Sequence, residues 1–280
     1  MKWRVRLFGG LQVSQGDTSV DQFPTKRSGL ILARLALTRQ GAVGRDELAE
    51  ALWPEDYLDA TRVRLRQELK RLRDALGEAA DLVQTDRTWV RLDLDACEVD
   101  VREFDHRFRL AKAGENRVPH LRAALDLYTG PLLPEYQEDW VVAARQENRS
   151  RVLLARCEVS QELRLTDPRA AVEEALAAVR QDPQYEPAVV ALIRAFQSAG
   201  DAGSARRAYA DYERLLQRDR RTPSDAVRIL LDEQEAPITP TDLVVPTPPE
   251  SRVENLPEFN DSFYGREEEV QTILGVIAPE

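Results

Sequence analysis

Cysteine is scarce: Cys97 and Cys157 are the only two in 280 residues, which excludes a disulfide framework and a cysteine zinc site and suits a reducing interior. Histidine is equally scarce. His106 and His120 share neither i, i+4 nor Cys-x-x-Cys spacing, so no metal site follows, and His106, set among Arg and Asp, reads as a surface residue rather than a base. No run of eighteen apolar residues occurs, and Met1 leads into alternating strand sequence rather than a signal peptide. The expectation is a soluble cytoplasmic protein with no membrane partner. A nucleophile elbow, a Gly-rich dinucleotide turn and a G-x-x-x-x-G-K-[ST] phosphate loop are all missing, so the chain is expected to be no enzyme and to hold no cofactor. Positive charge is also short overall. A net charge of −10 argues against general coating of nucleic acid.

The charge that is present is unevenly placed. Residues 1–94 carry 16 Lys and Arg against 14 Asp and Glu, whereas the remaining 186 carry 23 against 35. The cations concentrate in one stretch, Asp59 to Gly77, where six basic residues face a single acid, Glu68, between Arg62 and Arg73. At 100° per residue Leu65, Leu69, Leu72 and Leu76 form one narrow apolar stripe. Val63, Gln67, Lys70, Arg71 and Asp74 point the other way, and Arg62, Arg64, Arg66 and Arg73 flank the stripe. This predicts a cationic helix held by its back, from Ala60 to Leu76, capped by Asp59 and ended by Gly77. Such a helix fits a DNA major groove. Gln67, Lys70 and Arg71 are placed for base edges, and Arg62, Arg64, Arg66 and Arg73 for phosphates or for covering the core.

The flanking sequence completes a recognisable order. Trp3, Val5 and Leu7 alternate with Lys2, Arg4 and Arg6 as in a half-buried strand, and Gly9-Gly10 offers a turn before Leu11 to Val13, predicting a small antiparallel sheet. Thr25 caps a helix running to about Thr38. After Gly44, a second helix carries Leu48, Ala51 and Leu52 on one face and stops at Pro54, with Trp53 in the core. Beyond the cationic helix, Leu82 to Gln84 and Trp89 to Leu92 read as a hairpin whose polar turn presents Arg87 to phosphate or the minor groove. Three helices with the third basic, closed by a hairpin, make a winged helix-turn-helix.

The order LFGGLQV, KRSGLILARLAL, GRDELAEALWPED, LRQELKRLRDALG and the TDRTWVRLD hairpin resembles the winged helix of the Streptomyces antibiotic regulatory protein family, related to that of response regulators. Two departures are Gly44, where Ser or Thr often precedes the second helix, and Thr88-Trp89 in place of the usual Gly-Tyr of the wing. The next segment resembles the bacterial transcriptional activator domain of that family: Asp100 and Phe104 match D-x-x-x-F, and Tyr128, Gly130, Leu132 and Trp140 match Y-x-G-x-L with its following Trp. The resemblance implies a transcriptional activator that binds promoter direct repeats of double-stranded DNA as a homodimer and recruits RNA polymerase.

Periodicity alone makes the second half helical. Ala188 to Gln217 has the helix, turn and helix of a tetratricopeptide repeat, and Asp167 and Ala171 precede Asp201 and Ala205 by one 34-residue period. Tyr128, Trp140, Tyr185, Tyr209 and Tyr212 are assigned to packing, and Asp225 to Leu231 to a last helix. Glu235 to Glu258, with six prolines, reads as a linker. Ser262 to Ile277 resembles the opening of signal-transduction NTPases, so ATP and Mg are expected only for a domain beyond this chain. The expected organisation is a winged helix over 1–95, a tetratricopeptide-like activator domain over 96–234, a linker over 235–258 and an NTPase start over 259–280, in a mostly α chain. The competing function is a protein-interaction scaffold or the sensor part of a signalling NTPase. An outward Arg/Lys face is not required by that alternative.

Overall fold

A computed structural model describes residues 2–54, 58–114 and 116–232, with the side chains of 58, 59, 231 and 232 outside the description. The expected linker and NTPase start lie outside the described residues.

Alternation of apolar and polar residues builds the N-terminal strands β1 (Trp3–Arg6), β2 (Gln12–Gln15) and β3 (Thr18–Val20), which pair in sequence as antiparallel neighbours. Trp3, Val5 and Val13 turn inward while Arg4 and Arg6 stay exposed. The sheet is not purely antiparallel as expected. A seventh strand, β7 (Cys97–Val99), adds to β1 in parallel, giving the order β3-β2-β1-β7. Asp100 immediately after β7 accepts the Leu7 amide at 2.9 and 3.0 Å and the Phe8 amide at 2.9 Å, which fastens the end of β1. Burial pushes that carboxyl up to about 6 despite the amides from Phe8, Leu7 and Val101, which favour its charged form.

Between β3 and β7 lies the winged helix. Helix α1 (Lys26–Leu37) starts at Thr25, whose hydroxyl accepts the Ser28 amide in a capping box, and ends at Thr38. Strand β4 (Ala42–Gly44) leads into α2 (Arg45–Leu52) without a side-chain cap at Gly44, and Trp53 packs in the core at its end. Helix α3 spans Leu58–Leu76, so it begins before Ala60, and Asp59 lies within its first turn rather than capping it. Gly77, with φ +54°, ends α3 in the left-handed conformation that glycine adopts without strain, and a 3₁₀ turn over Gly77–Leu82 follows. Strands β5 (Val83–Thr85) and β6 (Trp89–Leu92) form the hairpin, and β4 joins it on the far side of β6, which makes a three-stranded sheet.

The remaining chain is helical: α4 (Asp100–Ala113), α5 (Arg117–Leu127), α6 (Asp139–Leu163), α7 (Pro168–Gln181), α8 (Glu186–Ser198), α9 (Ala202–Arg218) and α10 (Asp225–Asp232). The 34-residue repeat holds in atomic terms. Asp167 and Asp201 each cap a helix through the side chain, and Ala171 and Ala205 are both fully buried where the helices meet. Of the aromatics assigned to packing, Tyr212 is buried and Tyr128, Trp140, Tyr185 and Tyr209 lie half-buried against cores.

One apolar cluster runs without interruption from Trp3 to Val159. The change of fold near residue 95 is therefore not a break in packing. Helix α1 meets the second half closely: a Cβ on Gly29 would stand 2.0 Å from the Tyr136 hydroxyl, so only glycine fits there. Arg34 of α1 lies 5.3 Å over the Trp140 ring of α6. Arg145 of α6 donates to the carbonyls of Leu132, Leu133 and Tyr136, holding the segment that passes under α1.

Candidate nucleic-acid interface

Four leucines explain how α3 is mounted. Leu65, Leu69, Leu72 and Leu76 are all buried, at 0, 4, 0 and 1% exposure, on the side that meets α1 and α2. Burying such side chains contributes on the order of 2 kcal/mol each, which makes the orientation of the helix about its axis a strongly specified feature. Everything opposite the stripe therefore faces out. Arg62, Val63, Arg64, Arg66, Gln67, Lys70 and Arg71 are all exposed, Val63 to 53%.

The basic side chains differ in what holds them. Arg62 makes a two-pronged pair with Asp46 of α2, Nε to Oδ1 at 2.9 Å and Nη2 to Oδ2 at 2.8 Å. That hydrogen bond holds the Asp46 carboxyl below its usual range. Arg71 donates to Glu68 at 2.6 Å. Arg73 is turned toward the protein: Nε and Nη2 donate to the Val83 carbonyl at 3.0 and 2.6 Å, and Nη2 reaches Thr85 Oγ1 at 3.3 Å. It bridges α3 to the hairpin. Of the two roles expected for it, the guanidinium takes the internal one.

The hairpin is shaped by Asp86. Its Oδ1 accepts the amides of Thr88 and Trp89 at 2.8 and 2.7 Å and its Oδ2 accepts Arg91 at 2.5 Å. These bonds, the Thr88 and Trp89 amides foremost, hold the carboxyl down to about 2. Asp86 thereby supplies a turn without the Gly-Tyr pair usual at the wing. Arg87 stands exposed at the tip, and Arg45 at the start of α2 donates to the Asp86 carbonyl at 3.1 Å. Trp89 stays 41% exposed on the outer face, with Arg91 5.9 Å from its ring.

Sequence reasoning overlooked three features of this surface. Arg45 and the exposed Trp89 carried no periodic signal that set them apart. Glu68 did carry one, because it stands 60° from Leu65 on the stripe side, and it is buried at 6%.

Chemistry of other kinds has little to build on. Among the described residues no group of three or more His, Cys, Asp and Glu could hold a metal ion, and no helix is long and apolar enough to cross a membrane. Both cysteines are free, and burial pushes each thiol up to about 11, so neither is a reactive thiolate at neutral pH.

Residues 92–233, which are 142 of the 280, match the family described as bacterial transcriptional activator domain. The chain belongs to that family. A winged helix followed by this domain is the organisation of the Streptomyces antibiotic regulatory protein family. A solved structure of Mycobacterium tuberculosis EmbR, in complex with a low-affinity phosphopeptide, is similar at a TM-score of 0.66 and 26% identity over 83% of this chain. The chain spans 64% of the length of that EmbR chain. No curated protein matches it by sequence.

Proposed function

We propose that the protein activates transcription by reading a double-stranded DNA sequence with α3 and the wing. The observation that carries this is the outward face of α3, where Arg64, Arg66, Gln67, Lys70 and Arg71 stand exposed on a helix whose axial orientation is fixed by four buried leucines. A helix of 19 residues is about 28 Å long, enough to lie in the major groove with several side chains at base edges. Gln67, Lys70 and Arg71 are the base readers. Arg62, Arg64, Arg66 and the wing's Arg87 contact phosphates, and Val63 supplies apolar contact. The small cationic footprint sits on an acidic chain, which limits nonspecific coating while leaving a steered approach to one face.

The helical half serves the second part of the function. Family membership supports contact with RNA polymerase, and pairing on promoter direct repeats would set two α3 helices in successive major grooves. No cofactor enters this function, and ATP and Mg would act only through a domain beyond the chain. Selection from a random-sequence duplex library, followed by gel shift at two salt concentrations, tests the reading. A single enriched sequence containing two spaced half-sites, bound with a steep salt dependence, is expected. Failure to enrich any duplex would overturn it.

A further inference from the structure

A buried carboxylate on the apolar side of a DNA-facing helix needs a reason. Glu68 sits beside Leu65 and Leu72 with its side chain only 8% exposed, where a leucine or methionine would extend the stripe without the cost of desolvating a charge. Both of its oxygens are engaged. Oε1 accepts Arg71 Nη1 at 2.6 Å and Oε2 accepts the Thr25 hydroxyl at 2.5 Å. Thr25 is itself fixed, because its Oγ1 accepts the Ser28 amide at 3.0 Å while Ser28 Oγ donates to the Thr25 carbonyl at 2.8 Å. The hydroxyl hydrogen has its short contact with the carboxylate, Ser28 Oγ standing farther off at 3.3 Å. The result is a chain of fixed groups that runs from the start of α1 to one guanidinium, which remains 51% exposed.

We infer that Glu68, anchored by Thr25, is a positioning residue that fixes Arg71 for recognition of a base edge. The inference rests on the DNA reading of α3. An arginine has many rotamers, and freezing them on binding weakens recognition; a guanidinium already held along one edge forfeits less. Glu68 takes a single N–H of Arg71, and the other N–H groups have no acceptor among the described residues. They are the ones left to form a two-pronged contact with guanine O6 and N7. The neighbouring cations lack this arrangement. Lys70 and Arg66 are exposed with no partner among the described residues, and for Arg66 that suits a contact with phosphate, where aim matters less.

Loss of the carboxylate should separate specificity from affinity. Removing a negative charge strengthens sequence-independent attraction to DNA, while releasing Arg71 blurs the choice of base. The test uses the full chain, the duplex that the wild type enriches from a random library, the same duplex with one base pair changed at the Arg71 position, and an unrelated duplex. For Glu68→Met and Glu68→Gln the preference for the enriched duplex over its one-pair variant should fall by about tenfold, with binding to the unrelated duplex unchanged or tighter. Adding Arg71→Ala to Glu68→Met should cost no further discrimination, because the two act as one unit. Thr25→Ser, which keeps the hydroxyl, should behave as wild type. Two results would overturn the inference: full discrimination retained by both Glu68 variants, or a parallel loss of binding to all three duplexes with a lowered melting temperature, which would mark Glu68 as support for the fold alone. If the wild type enriches no duplex, the DNA reading itself fails and this inference falls with it.

Discussion

Arginine is used in two ways in the two halves of this molecule. In the helical half it fastens helix to helix: Arg151 of α6 pairs with Asp105 of α4 at 2.5 Å, Arg156 with Glu174 of α7 at 2.6 Å, and Arg117 of α5 with Glu158 of α6 at 2.6 Å. Arg151 also lies 4.9 and 4.6 Å from the Phe104 and Phe108 rings. On α3 Arg66 and Lys70 stand exposed with no partner among the described residues and Arg71 is held by Glu68 of its own helix, while Arg62 and Arg73 reach packed neighbours, Arg62 through Asp46 and Arg73 through the Val83 carbonyl. Sequence composition hardly separates the two uses. What separates them is whether a carboxylate or carbonyl of a packed neighbour lies within reach, so charge content alone says little about whether a basic helix binds outward or inward.

That contrast can be broken at either end. The largest effect should come from Arg145→Ala, which strands three carbonyls at the entrance to α6; a loss of about 2 to 3 kcal/mol in chemical denaturation is expected, and a loss below about 0.5 kcal/mol would show that water replaces the guanidinium. A comparable effect should follow pH through Asp100. Its folded value is raised to about 6 from 3.8, so its contribution to stability is fully present below about pH 4 and is lost as pH rises through 6. Melting curves between pH 4 and 7 should show a slope from this group that Asp100→Asn abolishes. Arg156→Ala, breaking a pair that is about 20% exposed on each side, should cost about 1 to 2 kcal/mol and leave DNA binding unchanged.

On the other side of the comparison, Arg66→Ala should leave the melting temperature within about 2 °C of wild type. It should weaken binding to all duplexes about equally and lower the salt slope by about one. An equal loss of stability would place Arg66 with the fastening arginines instead. Smallest of all is Arg87→Ala at the wing tip, where a two- to threefold loss of affinity is expected, about 0.5 kcal/mol, as for one exposed phosphate contact. An unchanged footprint would make the tip a plain solvent turn.

How much of this was legible in the residues depends on range. The axial orientation of α3 was legible because four leucines at 3.6-residue spacing fix it locally, and the caps at Thr25, Asp167 and Asp201 are likewise local events. Strand β7 was not legible. Three residues, Cys97 to Val99, are too short for a period, and their partner Trp3 to Val5 lies more than 90 positions away. The same holds for the interface: the exposure of Lys70 and Gln67 and the stripe-side position of Glu68 followed from helix geometry, but the inward turn of Arg73 depended on the Val83 carbonyl and the anchoring of Glu68 on a hydroxyl 43 residues upstream.

The close fit of the Tyr136 hydroxyl over Gly29, where a Cβ would stand 2.0 Å away, bears on how such regulators could exchange parts in evolution or in the laboratory. A chimaera that joins this reading half to another activator half at residue 95 would leave β1 without β7 and without the Asp100 carboxylate, and would set a foreign side chain against α1 where only a glycine-sized surface was prepared. A transferable reading unit has to carry the strand, the aspartate and the Leu132 to Tyr136 segment with it, or else a donor whose own tyrosine meets Gly29 in the same place.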